Sequence, residues 1–444
     1  MNSSQAIEEA ERCLYCFDAP CVEQCPAHID IPTYIAMIRT GNTIGAAQVI
    51  KRSNALANIC GQVCPEEIYC QSVCNRTKQD TPIKIRELHY FATQHEARTG
   101  FTPISAPDDN EKKVAVIGGG PAGLGCAFEL AKLGYAVTVF DMQGAGGVPK
   151  NSIPGFRLSD PTFEDDINFI SEHVVFRKEY VSPNRFTAIR RMFDAVFIGI
   201  GLGKDRISAV PGETLGGVYS ALEFLEEAKQ RKKDLRVGKS VVVIGGGNVS
   251  LDCAATSKVM GAESVILLYR RGPEEMKVWK TELEEARSRG VEIRFLTSPV
   301  EIQGTKKVTG VLCRRNELST KRDASGRPKP VAIPDSEFLL PADTVVVAIG
   351  QEIASPLAGL FKRLPSGYIG IDNQFKTSLP GVFAGGDCVS GEGTIVLSLA
   401  HGKSAAAGIH RHLSPSGRQP SGPRTAKPSS PPPTRTSGGK RHAR

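Results

Sequence analysis

Twice in this chain of 444 residues a short apolar strand runs into a glycine loop and then into a helix. Residues 113–117 (KVAVI) lead into Gly118-Gly119-Gly120-Pro121-Ala122-Gly123 and an apolar helical stretch up to Gly134. A second strand, residues 136–140, follows and ends at Asp141. Residues 240–244 (SVVVI) then lead into Gly245-Gly246-Gly247-Asn248-Val249-Ser250 and a helical stretch from Leu251 to Val259. Alone, such a glycine pattern is weak; between a strand and a helix it is specific. The glycines let the backbone approach a pyrophosphate, and the helix N-terminus faces its charge. The repeat therefore predicts an α/β chain with two Rossmann-like dinucleotide-binding units.

The two units differ where a nucleotide is told apart. Asp141 at the end of the first pair of strands suits a ribose hydroxyl. In the second unit the small Ser250 takes the place of the third glycine, and the strand 264–269 ends at Arg270-Arg271-Gly272. Arginine there suits a 2′-phosphate, so the second unit is expected to take NADPH and the first FAD. The plainer reading of the arginines is a solvated pair at a strand end. Residues 193–203 and 343–350 are apolar strands ending in glycine, the first leading out of the flavin unit and the second back into it. Residues 379–387 (LPGVFAGGD) form a strand that ends in Gly386 and Asp387 and can return to the flavin, followed by Thr394 and a helix over 398–412. The expected division is glutathione-reductase-like and interleaved. A flavin unit takes 106–235 and 343–413, and a nucleotide unit takes 236–342.

Ahead of these units, eight of the twelve cysteines fall within the first 74 residues. Cys13-x2-Cys16-x4-Cys21-x3-Cys25-Pro26 is one block, and Cys60-x3-Cys64-Pro65-x4-Cys70-x3-Cys74 is the other. Thiolates at short spacing suit iron–sulfur or zinc centres. Three close cysteines plus a fourth before proline is a ferredoxin-like pattern that serves two clusters. Zinc ribbons need two CxxC units, and these blocks hold one, Cys13/Cys16. A disulfide framework needs an oxidising compartment, and the start MNSSQAIEEAERC has neither the basic nor the apolar region of a secretion signal. The expected compartment is the cytoplasm. Residues 5–14 and 43–57 read as helices, Cys70 and Cys74 as neighbours on one helical turn, and the remainder of the first hundred residues as mostly loop held by metal. This domain is assigned residues 1–105.

The other cysteines, Cys126, Cys253, Cys313 and Cys388, are solitary, which disfavours disulfide-reductase chemistry. His401 reads as packing or surface. No apolar run is long enough for a membrane span. Of the net charge of +8, seven charges sit in a Pro/Ser/Arg-rich tail, residues 414–444, with no acids. That tail reads as disordered and solvated. The near-neutral body gives no case for nucleic acid.

The cysteine blocks and glycine loops, in this order, resemble the flavin/iron–sulfur electron-input subunit of bacterial NAD(P)-dependent dihydropyrimidine dehydrogenase and, less closely, the small subunit of NADPH-dependent glutamate synthase. The resemblance covers about residues 5–413. It is carried by CLYCFDAPCVEQCPAHIDIP (13–32), CGQVCPEEIYCQSVC (60–74), IPGFRLS (153–159) and FAGGDCVSGEGT (383–394). It implies two [4Fe-4S] clusters, one on Cys13, Cys16, Cys21 and Cys74, the other on Cys25, Cys64 and Cys70. The fourth ligand of the second cluster in that family is a glutamine, and His89 stands at that place. Cys60 is read as structural. FAD is expected on Gly118, Gly120, Pro121, Ala122, Gly123, Asp141, Gly147, Arg157, Gly386, Asp387 and Thr394. NADPH, or NADH, is expected on Gly245, Gly247, Asn248, Val249, Arg270, Arg271 and Lys277. Pro149 and Ser159 depart from the family pattern, as does the basic tail. The implied activity is oxidation of NAD(P)H with single electrons passed to an FMN-containing catalytic subunit that reduces a pyrimidine. Alternatives are electron donation to a glutamate synthase large subunit, or a redox-sensing interaction protein.

Overall fold

The computed structural model describes residues 1–99, 110–232, 235–323 and 326–414. The tail expected to be disordered lies, apart from Ser414, outside the described residues.

The N-terminal unit is helical: Ser3–Glu11, Ile31–Arg39, Thr43–Ser53, Ala57–Val63 and Ile85–Thr99 form its main helices. Their starts are written locally. Asn2 and Gln5 exchange side-chain and backbone bonds as a capping box, at 3.0 and 2.9 Å. Asp30 and Asn42 accept from Thr33 N and Gly45 N. The expectation of a mostly looped unit is corrected, and the unit contributes a buried apolar core of its helices where metal was expected to do most of the holding. Ala6, Tyr34, Ile35, Ile38, Ile50, Leu56, Ile59, Leu88 and Ala92 are all buried. Each fully buried Ile or Leu contributes about 1.5–3 kcal/mol. Cys70 and Cys74 do not share an α-helical turn; they flank the short 3₁₀ segment Gln71–Val73, with Cys74 extended.

Two five-stranded parallel sheets follow. In the first, Val382–Ala384 pairs with Ala195–Ile198, which pairs with Lys113–Ile117, then Ala136–Asp141, then Val175–Lys178. In the second, the order is Val218–Ser220, Thr344–Ala348, Ser240–Gly245, Ser264–Leu268, Glu292–Arg294. Central strands of both are buried on both faces, as their Val/Ile runs require when helices cover each side. Thr344–Ala348 thus belongs with the second glycine loop, and Val218–Ser220 joins it there. The boundaries at 235/236 and 342/343 placed both with the first loop. Pairing partners decide this, and they are remote in sequence. The two connecting segments run side by side as an antiparallel pair, Gly203–Asp205 with Gln351–Ile353. A four-stranded antiparallel sheet, built on the long Val308–Arg322 strand, flanks the second unit.

The Ile395–Leu413 helix packs on Pro121–Ala131. Gly402 makes the close crossing possible, because a Cβ there would lie 2.1 Å from Ala122 O. Iron-unit residues such as Cys25, Ile59 and Cys70 share one buried core with Val114 and Phe383 of the first sheet and Leu124 of the Pro121–Ala131 helix. No helix among the described residues is long and apolar enough to cross a membrane.

Candidate functional site

The first glycine loop opens into a cavity of about 480 Å³. Gly118, Gly120, Pro121, Ala122, Asp141, Gly147, Gly386, Asp387 and Thr394 all line it. The loop conformation demands glycine at 118, where φ is +105° and a Cβ would lie 2.2 Å from Gly199 O. A Cβ on Gly120, by contrast, would reach nothing nearer than Gly147 Cα at 4.0 Å, so this backbone is open to a ligand. The Pro121–Ala131 helix starts at this wall with no side-chain cap on its first turn, which suits phosphate, and Thr394 and Ile395 at the start of Ile395–Leu413 line the cavity as well. Asp141 accepts from Gly119 N at 2.8 Å and Gln143 N at 2.7 Å, which holds its carboxylate at the strand end with lone pairs to spare. Burial pushes Asp387 up to about 6, while Ser398 Oγ donates to it at 2.8 Å. Gly386 N donates to His401 Nδ1 at 3.2 Å, so His401 backs the cavity wall. A dinucleotide with a large apolar ring fits these residues.

Two residues expected at the flavin are elsewhere. Gly123 packs its helix against the strand, and Arg157 does not line the cavity. Arg157 Nη1 donates to both Asp252 oxygens at 2.7 Å, and Nη2 pairs with Glu282. Asp252 lies on Asn248–Val259 and Glu282 on Lys280–Ser288, so Arg157 ties the turn after the flavin loop to the second unit. Lining residues not anticipated include Gln143, Tyr180, Leu202, Gln351 and Ser355. Tyr180 follows the C-terminal end of a parallel strand, where such folds collect ligands, and that rule could have found it. Of the family departures, Ser159 caps the Asp160–Ser171 helix, and Pro149 is buried in the first turn after Gly147.

At the second loop, Gly247 is open, with nothing within 4 Å of a Cβ. Gly245 backs onto Ala348 O. Asn248 Oδ1 accepts from Trp279 N at 3.0 Å, and Val249 stands beside it in the helix's first turn. The arginine pair divides. Arg271 is 2% exposed, donates Nε to Pro328 O at 3.0 Å and pairs with Asp323. It holds the hairpin of the flanking sheet. Arg270 is exposed at the strand end; partial desolvation first, then the neighbouring Arg271 and Arg327 cations, lower its pKa. Lys277 is exposed nearby in sequence.

Cys13, Cys16, Cys21 and Cys74 line one small cavity. Among the described residues no three of His, Cys, Asp and Glu gather around one ion-sized point. Cysteines spread around a cavity suit a cluster, in which each thiolate binds its own iron. Burial raises the Cys21 and Cys60 thiols to about 12, and those of Cys64 and Cys70 well up; bound metal reverses that order by holding thiolates. Beyond burial, the neighbouring Cys60, Cys70 and Cys25 thiols raise Cys64, and Glu66 and the Cys25 thiol raise Cys70, so Cys25, Cys60, Cys64 and Cys70 lie close together. His89 is 6% exposed, sits edge-on to Tyr34 at 6.1 Å, and its Nε2 has no hydrogen-bond partner.

The loop between Cys64 and Cys70 reaches both nucleotide units. Glu67 accepts from the first N–H groups and the Thr281 hydroxyl of the Lys280–Ser288 helix. Tyr69 Oη lies 2.8 Å from Thr394 Oγ1 at the cavity.

Residues 112–402 match the pyridine nucleotide-disulphide oxidoreductase family, and residues 1–101 match the dihydropyrimidine dehydrogenase domain II, 4Fe-4S cluster, family. The chain is 37% identical over 428 residues to the NADP(+)-dependent formate dehydrogenase subunit beta of Moorella thermoacetica, covering 89% of this chain and 60% of that one. It is 34% identical to the glutamate synthase [NADPH] small chain of Escherichia coli, covering 93% of this chain and 92% of that one. It is also 34% identical to the NAD-dependent dihydropyrimidine dehydrogenase subunit PreT of Escherichia coli, covering 93% and 95%. Mycobacterium tuberculosis FprA, solved in complex with NADPH, shares the fold with a TM-score of 0.58 at 21% identity, over 68% of this chain and 84% of FprA.

Proposed function

The chain belongs to the pyridine nucleotide-disulphide oxidoreductase family, and from that premise we propose that it is the electron-input subunit of a larger enzyme, oxidising NADPH and handing single electrons to a catalytic partner. It is an oxidoreductase that works with FAD, a pyridine nucleotide and 4Fe-4S clusters. The flavin supplies two-electron acceptance with one-electron release. The chain's own residues position and insulate. The first glycine loop and the Pro121–Ala131 N-terminus hold the pyrophosphate, Asp141 the ribose, and Asp387 and Thr394 the flavin end. Arg270 favours a 2′-phosphate. Cys13, Cys16, Cys21 and Cys74 hold one cluster. Cys25, Cys64, Cys70 and His89 hold the other.

The observation that carries this reading is the continuous core joining the cysteine-bearing helices to the flavin sheet. A partner with FMN that reduces a pyrimidine fits the 34% identity to the PreT subunit. The equal identity to the glutamate synthase small chain supports a second reading, donation to an amidotransferase. Anaerobic titration of the full chain with NADPH and, separately, NADH tests the input step, read by flavin absorbance, iron EPR and counted iron. Bleached flavin with reduced-iron signals is the expected result. Iron that never accepts electrons would refute it. The chain that co-purifies, an FMN protein or an amidotransferase, decides the partner.

A further inference from the structure

Tyr69 occupies a position that the flavin, nucleotide and cysteine assignments leave unused. It is the residue before Cys70, and its hydroxyl is hydrogen-bonded at 2.8 Å to Thr394 Oγ1 across 325 residues of sequence. Thr394 is 7% exposed, lines the flavin cavity and caps the Ile395–Leu413 helix, accepting from Leu397 N at 3.2 Å. At its other end Tyr69 anchors the cysteine loop: its carbonyl accepts from Ser72 Oγ at 2.7 Å and from Ser72 N at 3.2 Å. The segment from Cys70 to Cys74 is therefore pinned through one tyrosine to the wall of the flavin cavity. A second tie runs from the same long helix, where Lys403 Nζ donates to Ala27 O at 2.8 Å, two residues from Cys25.

We propose that Tyr69 is a positioning residue for electron movement between the flavin cavity and the iron-binding cysteines, its bond to Thr394 holding the Cys70–Cys74 segment at a set distance from the cavity. This rests on the electron-input reading. The balance is simple: a hydride brings two electrons and a proton, the electrons leave singly, each reducing one iron centre, and the proton goes to solvent. Tyr69 is neither oxidised nor deprotonated. Its contribution is geometric, because a loosened loop samples longer separations.

The test is Tyr69→Phe in the full chain loaded with FAD and iron. Flavin bleaching and reduced-iron EPR are followed in time after mixing with NADPH. The expected result is unchanged iron and flavin content, an unchanged bleaching phase, and iron reduction slowed about fivefold, the scale of one lost hydrogen bond. A purely structural role would move both phases or the iron content. Iron reduction at the unaltered rate in the variant would overturn the proposal. If NADPH leaves the flavin of the unaltered chain oxidised, the coenzyme reading fails on its own. Light-driven reduction of the flavin then makes the same comparison between Tyr and Phe without coenzyme.

Discussion

Replacing Arg157 by Met should turn a balanced buried cluster into two stranded acids. The side chains of Arg157, Asp252 and Glu282 are 11%, 12% and 9% exposed, with one guanidinium facing two carboxyls. Burial raises Asp252, and it pushes Glu282 up to about 8 against the opposing pull of Arg157. At neutral pH the trio therefore keeps one proton on its acids. Removing the cation from such a pair costs about 3–5 kcal/mol when the remaining acid is charged. Glu282's folded value lies above its ordinary 4.5, so its contribution is fully present below that value and is lost as pH rises through about 8. For Arg157→Met the deficit should be large near the upper end of this window and shrink on acidification, as both acids take up protons. Glu282→Gln should cost under about 1 kcal/mol and flatten the dependence, which otherwise runs near 1.4 kcal/mol per pH unit for one proton. Thermal unfolding at several pH values reads all three chains. Equal deficits for Arg157→Met at every pH would refute the reasoning. If Arg157 instead held the flavin, the variant would stay folded and lose flavin at all pH values.

Arg270→Ala should weaken NADPH by about 10- to 100-fold and NADH far less, since only the former offers a 2′-phosphate; equal losses in a coenzyme titration would remove the claim. Arg271→Ala should lower stability without changing that preference, because Arg271 is spent on Asp323 and Pro328. Asp166→Ala should destabilise the full chain by about 1–3 kcal/mol in thermal unfolding, having lost the acceptor of Asn58 N, Asn58 Nδ2 and Ile59 N. His89→Ala should alter the EPR lineshape or the iron count; identical spectra and iron would dismiss His89 as a ligand.

What was legible in the sequence was whatever is built from neighbours in the chain. The strand from Lys113 to Ile117, its glycine turn and the following helix lie within twenty residues, so pattern and loop chemistry specify them together. The same holds for Ser240–Gly245 with Asn248–Val259. Asp141 and Thr394 fall on the cavity because they sit at strand and helix ends. Arg157 shows where this stops: its partners are 95 and 125 residues away, and nothing in IPGFRLS distinguishes a flavin contact from a buried ion cluster. Arg271 was hidden in the same way, since its partner Asp323 arrives on a distant hairpin. The N-terminal helices were underread for a different reason. Segments such as Ala57–Val63 are too short for a full apolar stripe, and they are completed by tertiary partners such as Asp166.

Those tertiary partners point to one conclusion about the iron unit. Asp166 of the flavin unit caps Ala57–Val63 just ahead of Cys64. Glu67, three residues past Cys64, caps the nucleotide-unit helix Lys280–Ser288, which also carries Glu282. Tyr69, one residue before Cys70, grips Thr394. Within a stretch of thirteen residues the chain is fixed in turn to the flavin sheet, the nucleotide helix and the flavin cavity. These contacts add to the apolar core, with Tyr34, Ile35, Ile50, Leu56 and Leu88, that the iron unit shares with the first sheet. They converge on the stretch that carries Cys64 and Cys70, and each joins it to another unit through a polar side chain. Distance governs single-electron movement, so the fold has put its most specific polar contacts where distance has to be held.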